Sequence, residues 1–395
     1  MIKLPFVLAF TALTALSWGV YGIVLHKGTD QLGHSSIRAF IGVGIAYFLV
    51  AVLVPAIWLS SKPEKGHWSI AGTILSLFAG TVGALGALGV TLALAFKADP
   101  IYVMPIVFGG APVVNTLVTS WINKSFTQIK PMFLVGLVLV ACGAVGVLVN
   151  KPVTKKSVSV KTEATAPANS QADSPATPTE SNSEQATEST ASKESSATTE
   201  PAVPAADVKE PANANEKGPN PLSVGFAIAM AVVCWGAYGP VLHLGQSKMG
   251  GSRLRPFCCV GIAYFLIAVA VPVMILMAAP DGITLTFEQI LSGMTWAVLA
   301  GGAGALGALG IILAFNYGGK PIFVMPLVFG FAPVINTFVS MFVAGTLDKI
   351  SLYFTGALLL GIAGAVTVLV FAPKAKPHAA APSASPKDAT PKPAT

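Results

Sequence analysis

Apolar positions along the chain gather into ten long runs separated by short polar breaks. The first five are roughly Pro5–Leu25, Ile37–Leu59, Trp68–Phe96, Pro100–Ile122 and Pro131–Val149. Five more follow at Pro221–Leu242, Pro256–Met277, Ile290–Phe315, Pro321–Val343 and Leu352–Phe371. Each is near or above the ~20 residues a helix needs to cross ~30 Å of hydrocarbon. Only helices satisfy their own backbone hydrogen bonds over such lengths without closing into a barrel, so the pattern predicts ten transmembrane helices. The third run is the longest; it can tilt, or begin at the interface on Trp68.

The runs repeat. WGVYGIVLHKG from Trp18 returns as WGAYGPVLHLG from Trp235, and VGIAYFLVAVLVP from Val43 returns as VGIAYFLIAVAVP from Val260, both 217 residues on. GALGALG recurs at Gly83 and Gly304, and PIYVMPIVFGGAPVVNT at Pro100 returns as PIFVMPLVFGFAPVINT at Pro321, both 221 residues on. The recurrence argues against reading the first run as a cleaved signal peptide, because its copy lies in mid-chain where no signal could act. A unit with an odd number of spans must enter the membrane in opposite orientations when duplicated. The expected fold is therefore an all-α membrane protein of two inverted five-helix repeats, the layout of many secondary transporters. The boundaries are 1–150 for the first repeat and 219–373 for the second. Between them, 151–218 is an Ala/Ser/Thr/Pro/Glu-rich linker, and 374–395 is a similar tail. Neither offers enough apolar surface to offset its ordering entropy, so both are expected to be disordered.

Composition and charge sharpen this. Hydrophobic residues make up 53% of the chain and charged ones only 10%, against about a quarter charged in soluble domains. Ten of the seventeen acidic residues lie between Glu163 and Glu216, and none lies inside an apolar run. The net charge of +7 speaks to topology and not to nucleic acid, because no basic stripe with interleaved aromatics is present. Counting Lys and Arg in the short loops puts both termini in the cytoplasm and the linker outside, in a cell (inner or plasma) membrane. Lys248, Arg253, Arg255 and Lys320 then lie inside, with Lys349 outside. The basic start of the linker dissents, but long segments obey the rule poorly. The four cysteines sit in apolar runs with no metal-ligand spacing. No nucleophile elbow, paired acid or metal cluster suggests an enzyme, and no cofactor is expected.

The fourth and ninth runs carry the unusual chemistry. On a helical wheel Pro105, Phe108, Pro112, Asn115 and Thr116 share a stripe about 100° wide, as do Pro326, Phe329, Pro333, Asn336 and Thr337. Each internal proline frees a carbonyl one turn earlier, which in hydrocarbon must face protein or a water-filled cavity. The stripe is read as cavity-lining and the prolines as kinks; a kinked packing helix whose Asn bonds a neighbour is the alternative. Trp18 and Tyr21, echoed by Trp235 and Tyr238, form a comparable stripe. Rings with polar tips suit a sugar or another amphipathic metabolite, or else an interfacial belt. His26, His243 and Asp99, at the run edges, are the candidates for proton coupling, there being no carboxylate within a span. The GALGALG strings lack the Lys-Ser/Thr of a phosphate loop and read as helix packing.

With WG in the first helix of each half, prolines in the fourth and a Gly-rich fifth (Gly136, Gly143, Gly146), the chain resembles the EamA-type repeat of the drug/metabolite transporter superfamily. The resemblance covers both halves but not the linker. It implies a central cavity lined by helices one to four and six to nine, with helices five and ten peripheral and the fourth-helix residues facing substrate. Many members carry Gly-Glu after the fourth helix; here the chain reads Asn123-Lys124-Ser125, and Gly345-Thr346 in the second half, so no role attached to that Glu transfers. The phosphate-exchanging branch relies on Lys or Arg in its cavity helices, and the fourth and ninth runs have none; the sugar-uptake branch is the better match. The expected function is alternating-access transport of a small neutral or zwitterionic metabolite, with a sugar-like one favoured. The expected partners are that solute, the lipid bilayer and a second copy in a homodimer. A lipid-carrier flippase and a non-transporting membrane scaffold are the rival readings.

The topology is testable. Cysteines placed at Ser157 and Ser192 should react with an impermeant thiol reagent outside intact cells, and one at Ser383 should not. Labelling of Ser383→Cys alone would reverse the orientation.

Overall fold

The computed structural model describes residues 3–61, 64–150, 220–319 and 321–371. The linker 151–218 and the tail 374–395, and their expected disorder, lie outside the described residues. Ten helices and no strand occur among the described residues. They are α1 Leu4–Gln31, α2 Ser36–Ser61, α3 Ile70–Ala95, α4 Pro100–Ile122, α5 Pro131–Val149, α6 Pro221–Lys248, α7 Leu254–Ala278, α8 Phe287–Asn316, α9 Pro321–Val343 and α10 Leu352–Val370. Among the described residues nine are long and apolar enough to cross a membrane, and α5 is also apolar throughout its 19 residues. The outward residues match that reading: Trp121, Phe226, Phe331, Phe342 and Leu352 are exposed and apolar. This is a multi-pass helical membrane protein.

The ends of these helices follow capping chemistry. Pro100 occupies the first position of α4, where its missing N–H costs nothing, and the Asp99 side chain before it accepts from Ile101 N at 2.8 Å. Thr286 and Gln289 form a capping box on α8. His26 and His243 do not end α1 and α6, as their runs suggest. Both helices continue past the apolar run, to Gln31 and Lys248, because polar residues propagate a helix perfectly well once it has left the hydrocarbon.

Two π-turns, Leu49–Leu53 in α2 and Leu266–Ala270 in α7, sit at equivalent places in the repeat. Each lies just ahead of a proline, Pro55 or Pro272. A proline ring clashes with the carbonyl four residues back, and a widened turn relieves that clash without breaking the helix.

Packing runs mostly between the halves. α1 lies on α8 and α9, and α6 lies correspondingly on α3 and α4. α2 lies on α8 and α7 on α3, while α2 meets α7, α4 meets α9 and α5 meets α10. Exchanging each helix for its counterpart in the other half returns the same pairs. Beyond each other, α5 and α10 contact α4 and α9, which leaves the other eight helices around the centre.

A polar clasp closes each end of α2. At its start, Ser35 Oγ donates to Asp281 Oδ2 at 2.9 Å, and Arg38 Nη2 donates to Asp281 Oδ1 at 2.7 Å and to Ile283 O at 3.0 Å. Beyond its C-terminus, Glu64 reaches the start of α7. Ser252 Oγ donates to Glu64 Oε2 at 2.5 Å, the amides of Arg253 and Leu254 donate to the carboxylate at 3.0 and 3.2 Å, and Arg255 Nη1 donates to Glu64 O at 3.4 Å. Ser35, Arg38 and Glu64 recur as Ser252, Arg255 and Asp281, each 217 residues on. In each clasp a loop carboxylate meets the start of the other half's second helix: Glu64 accepts from two amides there, and Asp281 accepts from the side chains of Ser35 and Arg38.

Burial opposes ionisation of Asp281, but hydrogen bonds from Ser35 and the Ile283 amide, together with the Arg38 charge, outweigh it and hold the carboxyl below its ordinary range. A lowered carboxyl stabilises the fold above its unfolded pKa of about 3.9 and loses that contribution as pH falls through the folded value. Asp281→Asn should therefore cost about 1–3 kcal/mol near neutrality. The gap in melting temperature from the parent should narrow as pH is taken below about 4. A gap that does not change with pH would show that the charge contributes nothing.

Candidate functional site

Where α1 to α4 and α6 to α9 converge there is a cavity of about 80 Å³. Its aromatic lining is Trp18 and Tyr21 from α1, Tyr47 from α2, Phe108 from α4, and their repeat counterparts Trp235, Tyr238, Tyr264 and Phe329. Gly83, Gly304, Ala111 and Ala308 complete it, and no charged side chain lines it. Six residues singled out by the sequence pattern (Trp18, Tyr21, Phe108, Trp235, Tyr238 and Phe329) thus meet at one place.

The walls are fixed by helix contact. Trp18 Nε1 donates to Gly304 O at 3.0 Å, and Trp235 Nε1 donates to Gly83 O at 3.1 Å. Both carbonyls belong to helix interiors and accept on their second lone pair. The indoles come this close because Gly307 and Gly86 stand beneath them, where a Cβ would collide with the ring. Tyr47 and Tyr264, one from each half, stack with centroids 3.8 Å apart and planes 9° from parallel. Trp18 lies 6.2 Å from Phe108 and 6.1 Å from Phe329, which are 6.1 Å from each other. Tyr21 lies 5.9 Å from Trp235. Tyr21 Oη is buried and has no hydrogen-bond partner among the described residues.

The polar members of the α4 and α9 stripes lie elsewhere. Asn336 is fully buried, and its Nδ2 donates to Pro100 O at 2.8 Å, stitching α9 to the start of α4. Asn336 Oδ1, Thr337 Oγ1 and Ser340 Oγ are buried without partners among the described residues. Asn115 is half-buried, and Thr116 Oγ1 donates to Pro112 O at 2.9 Å. Pro105 and Pro333 line a narrow gap of about 20 Å³ against α5 and α10, Pro112 is buried, and Pro326 lies inside α9.

Of the coupling candidates, His26 and Asp99 come together. They line a pocket of about 230 Å³ with Ser340 and Thr346, at the end where α1 and α9 finish and α4 begins. His26 Nε2 also lies 3.4 Å from Asp30 Oδ2. His243 is exposed on α6 and does not line that pocket. Among the described residues there is no cluster of three or more His, Cys, Asp or Glu that could hold a metal.

Sequence reasoning passed over Tyr47, Tyr264 and both clasps. The tyrosines lie in the repeated GIAYF string, where recurrence was the available signal. Gly83 and Gly304 pack helices, as their small-residue spacing suggests, and their carbonyls also hold the indoles. No protein-family model matches the chain, and no curated protein matches it either.

The two asparagines should respond differently to replacement. Asn336→Leu leaves Pro100 O without its partner and should lower stability by about 1 kcal/mol. Asn115→Leu should cost much less. Thermal melts of the two purified variants check this, and equal losses would remove the stitching role assigned to Asn336.

Proposed function

We propose that the protein is a secondary transporter of the drug/metabolite type, built as two inverted five-helix repeats. It moves a small neutral or zwitterionic solute by alternating access. The observation that carries this reading is the cavity at the centre of eight helices, lined in matched pairs from both halves. A scaffold has no use for a central chamber, and a lipid carrier needs a chamber open sideways to the bilayer.

The moving parts follow from the same geometry. Prolines interrupt the hydrogen-bond ladders of α4 and α9, the two helices that cross beside the cavity, and give them places to bend. The two clasps lie at opposite ends of α2, a separation of roughly 40 Å at ~1.5 Å per residue. One can open while the other holds. The Asn336 stitch to Pro100 closes one end, whereas Asn115, its repeat counterpart, makes no side-chain hydrogen bond among the described residues. With no cationic side chain on the walls, a phosphorylated solute has nothing to neutralise it. His26 and Asp99 are the coupling candidates in this scheme, in a pocket apart from the aromatic one.

Uptake by proteoliposomes of the purified chain, against labelled sugars, amino acids and nucleosides, tests the reading. Saturable uptake should survive shortening of the linker within 151–218. Gly307→Ala, which forces Trp18 off Gly304, should reduce it roughly tenfold, equivalent to ~1.4 kcal/mol. Absence of uptake for every class, with a cellular phenotype that depends on the linker, would favour the scaffold.

A further inference from the structure

We propose that the polar pocket where α9 ends against the start of α4 binds an alkali-metal cation, and that this ion couples transport. The coupling role rests on the transporter reading; the cation site stands without it.

The pocket is lined by His26 from α1, by Asp99 and Pro100 at the start of α4, and by Ser340, Ala344 and Thr346 at the end of α9. Ser340 and Thr346 are more than nine-tenths buried. Ser340 Oγ has no hydrogen-bond partner among the described residues, and neither has Asn336 Oδ1 one turn earlier. Buried oxygens left in that condition are costly, and a cation beside them takes up their lone pairs. A proton would occupy a single titratable group and leave the hydroxyl as it is.

Charge sets the kind of ion. Asp99 is the single carboxylate among the lining residues, so one monovalent cation neutralises it. Its bond from the Ile101 amide, at 2.8 Å, uses only part of a carboxylate's accepting capacity. A helix N-terminus ordinarily repels a cation. Here Pro100 has no N–H, and the Ile101 amide is already held by Asp99. The opposite wall, Val343 and Ala344, is the C-terminal end of α9, where carbonyls lack intrahelical partners and the dipole is negative. Helix C-terminal ends and carbonyls of this kind are the oxygen ligands of coupling ions. The volume of about 230 Å³ lets the ion keep several waters, at ~30 Å³ each. His26, the other ionisable lining residue, lies 3.4 Å from Asp30.

An ion shared between Asp99 and Ser340 ties α4 to α9 at the same end as the Asn336 bond to Pro100 O. It thereby favours one arrangement of these helices over the other, which is what coupling requires.

The test melts the purified full chain, in a maltoside detergent, in sodium, potassium and N-methylglucamine chloride at equal ionic strength. Sodium or potassium should raise the melting temperature saturably, by roughly 2 °C or more over N-methylglucamine, and the larger shift identifies the ion. Asp99→Asn keeps a capping oxygen and removes the charge, and Ser340→Ala removes only the unpartnered hydroxyl. Each should abolish the cation-dependent shift, whereas Glu288→Gln, exposed in the first turn of α8, should keep it. A merely structural effect would move the melt equally in every salt. Equal melting of the parent in all the salts, or a shift that survives both pocket variants, overturns the site. In proteoliposomes, an inward gradient of the stabilising ion should speed uptake at least about fivefold. Uptake indifferent to that gradient overturns the coupling role and leaves the transporter standing. A pocket-dependent shift without uptake of any solute class sinks the transporter and leaves the cation site.

Discussion

Lipid tails are as apolar as leucine, so helices in a bilayer are held together by contact and not by the hydrophobic effect. Everything central in this protein depends on how closely α1 lies against α8, and α6 against α3. Gly307 and Gly86 give each tryptophan ring a place against the opposing backbone, and the carbonyls of Gly304 and Gly83 fix its orientation. Remove that proximity and the indoles lose both their seat and their hydrogen bond. The aromatic walls are thus a by-product of backbone approach, with no loop needed to build them.

Charge is distributed on the complementary principle. The middle of the bundle is held by aromatic contacts and by indole bonds to backbone carbonyls, and the carboxylates act where the chain leaves the apolar runs. Glu64 and Asp281 each meet the start of a helix from the other half. Asp99 caps the very helix whose first carbonyl holds Asn336. One short segment therefore fixes the start of α4, contributes to a polar pocket and anchors α9.

How much of this was legible in the sequence depends on range. The helices were, because hydrocarbon demands a long unbroken apolar run. The repeat was, because the copies survive as literal strings. Trp18, Tyr21 and Phe108 could be grouped with their counterparts by period and recurrence. Asn115 and Asn336 were grouped with them on the same wheel, but a wheel discards height. A stripe running the length of α9 meets different neighbours along it, so Phe329 looks onto the aromatic chamber while Asn336 reaches the start of α4. The clasps were invisible for another reason. Ser35 and Asp281 lie 246 residues apart, and nothing near either one announces the other. Only the shared spacing of 217 between Glu64 and Asp281 hinted that the two acids do the same job.

That spacing does not hold throughout. It is 217 as far as Asp281 and 221 from Gly304 onward, and the difference appears as the greater length of α8, 30 residues against 26 for α3. Four residues are close to one full helical turn, so the added length leaves downstream side chains within about 40° of their old direction. A faithful duplication would make the two halves interchangeable, like two identical castings. One added turn in α8, and a lysine (Lys320) where the first half has Asp99, break that equivalence, while the lining of the chamber keeps its matched pairs.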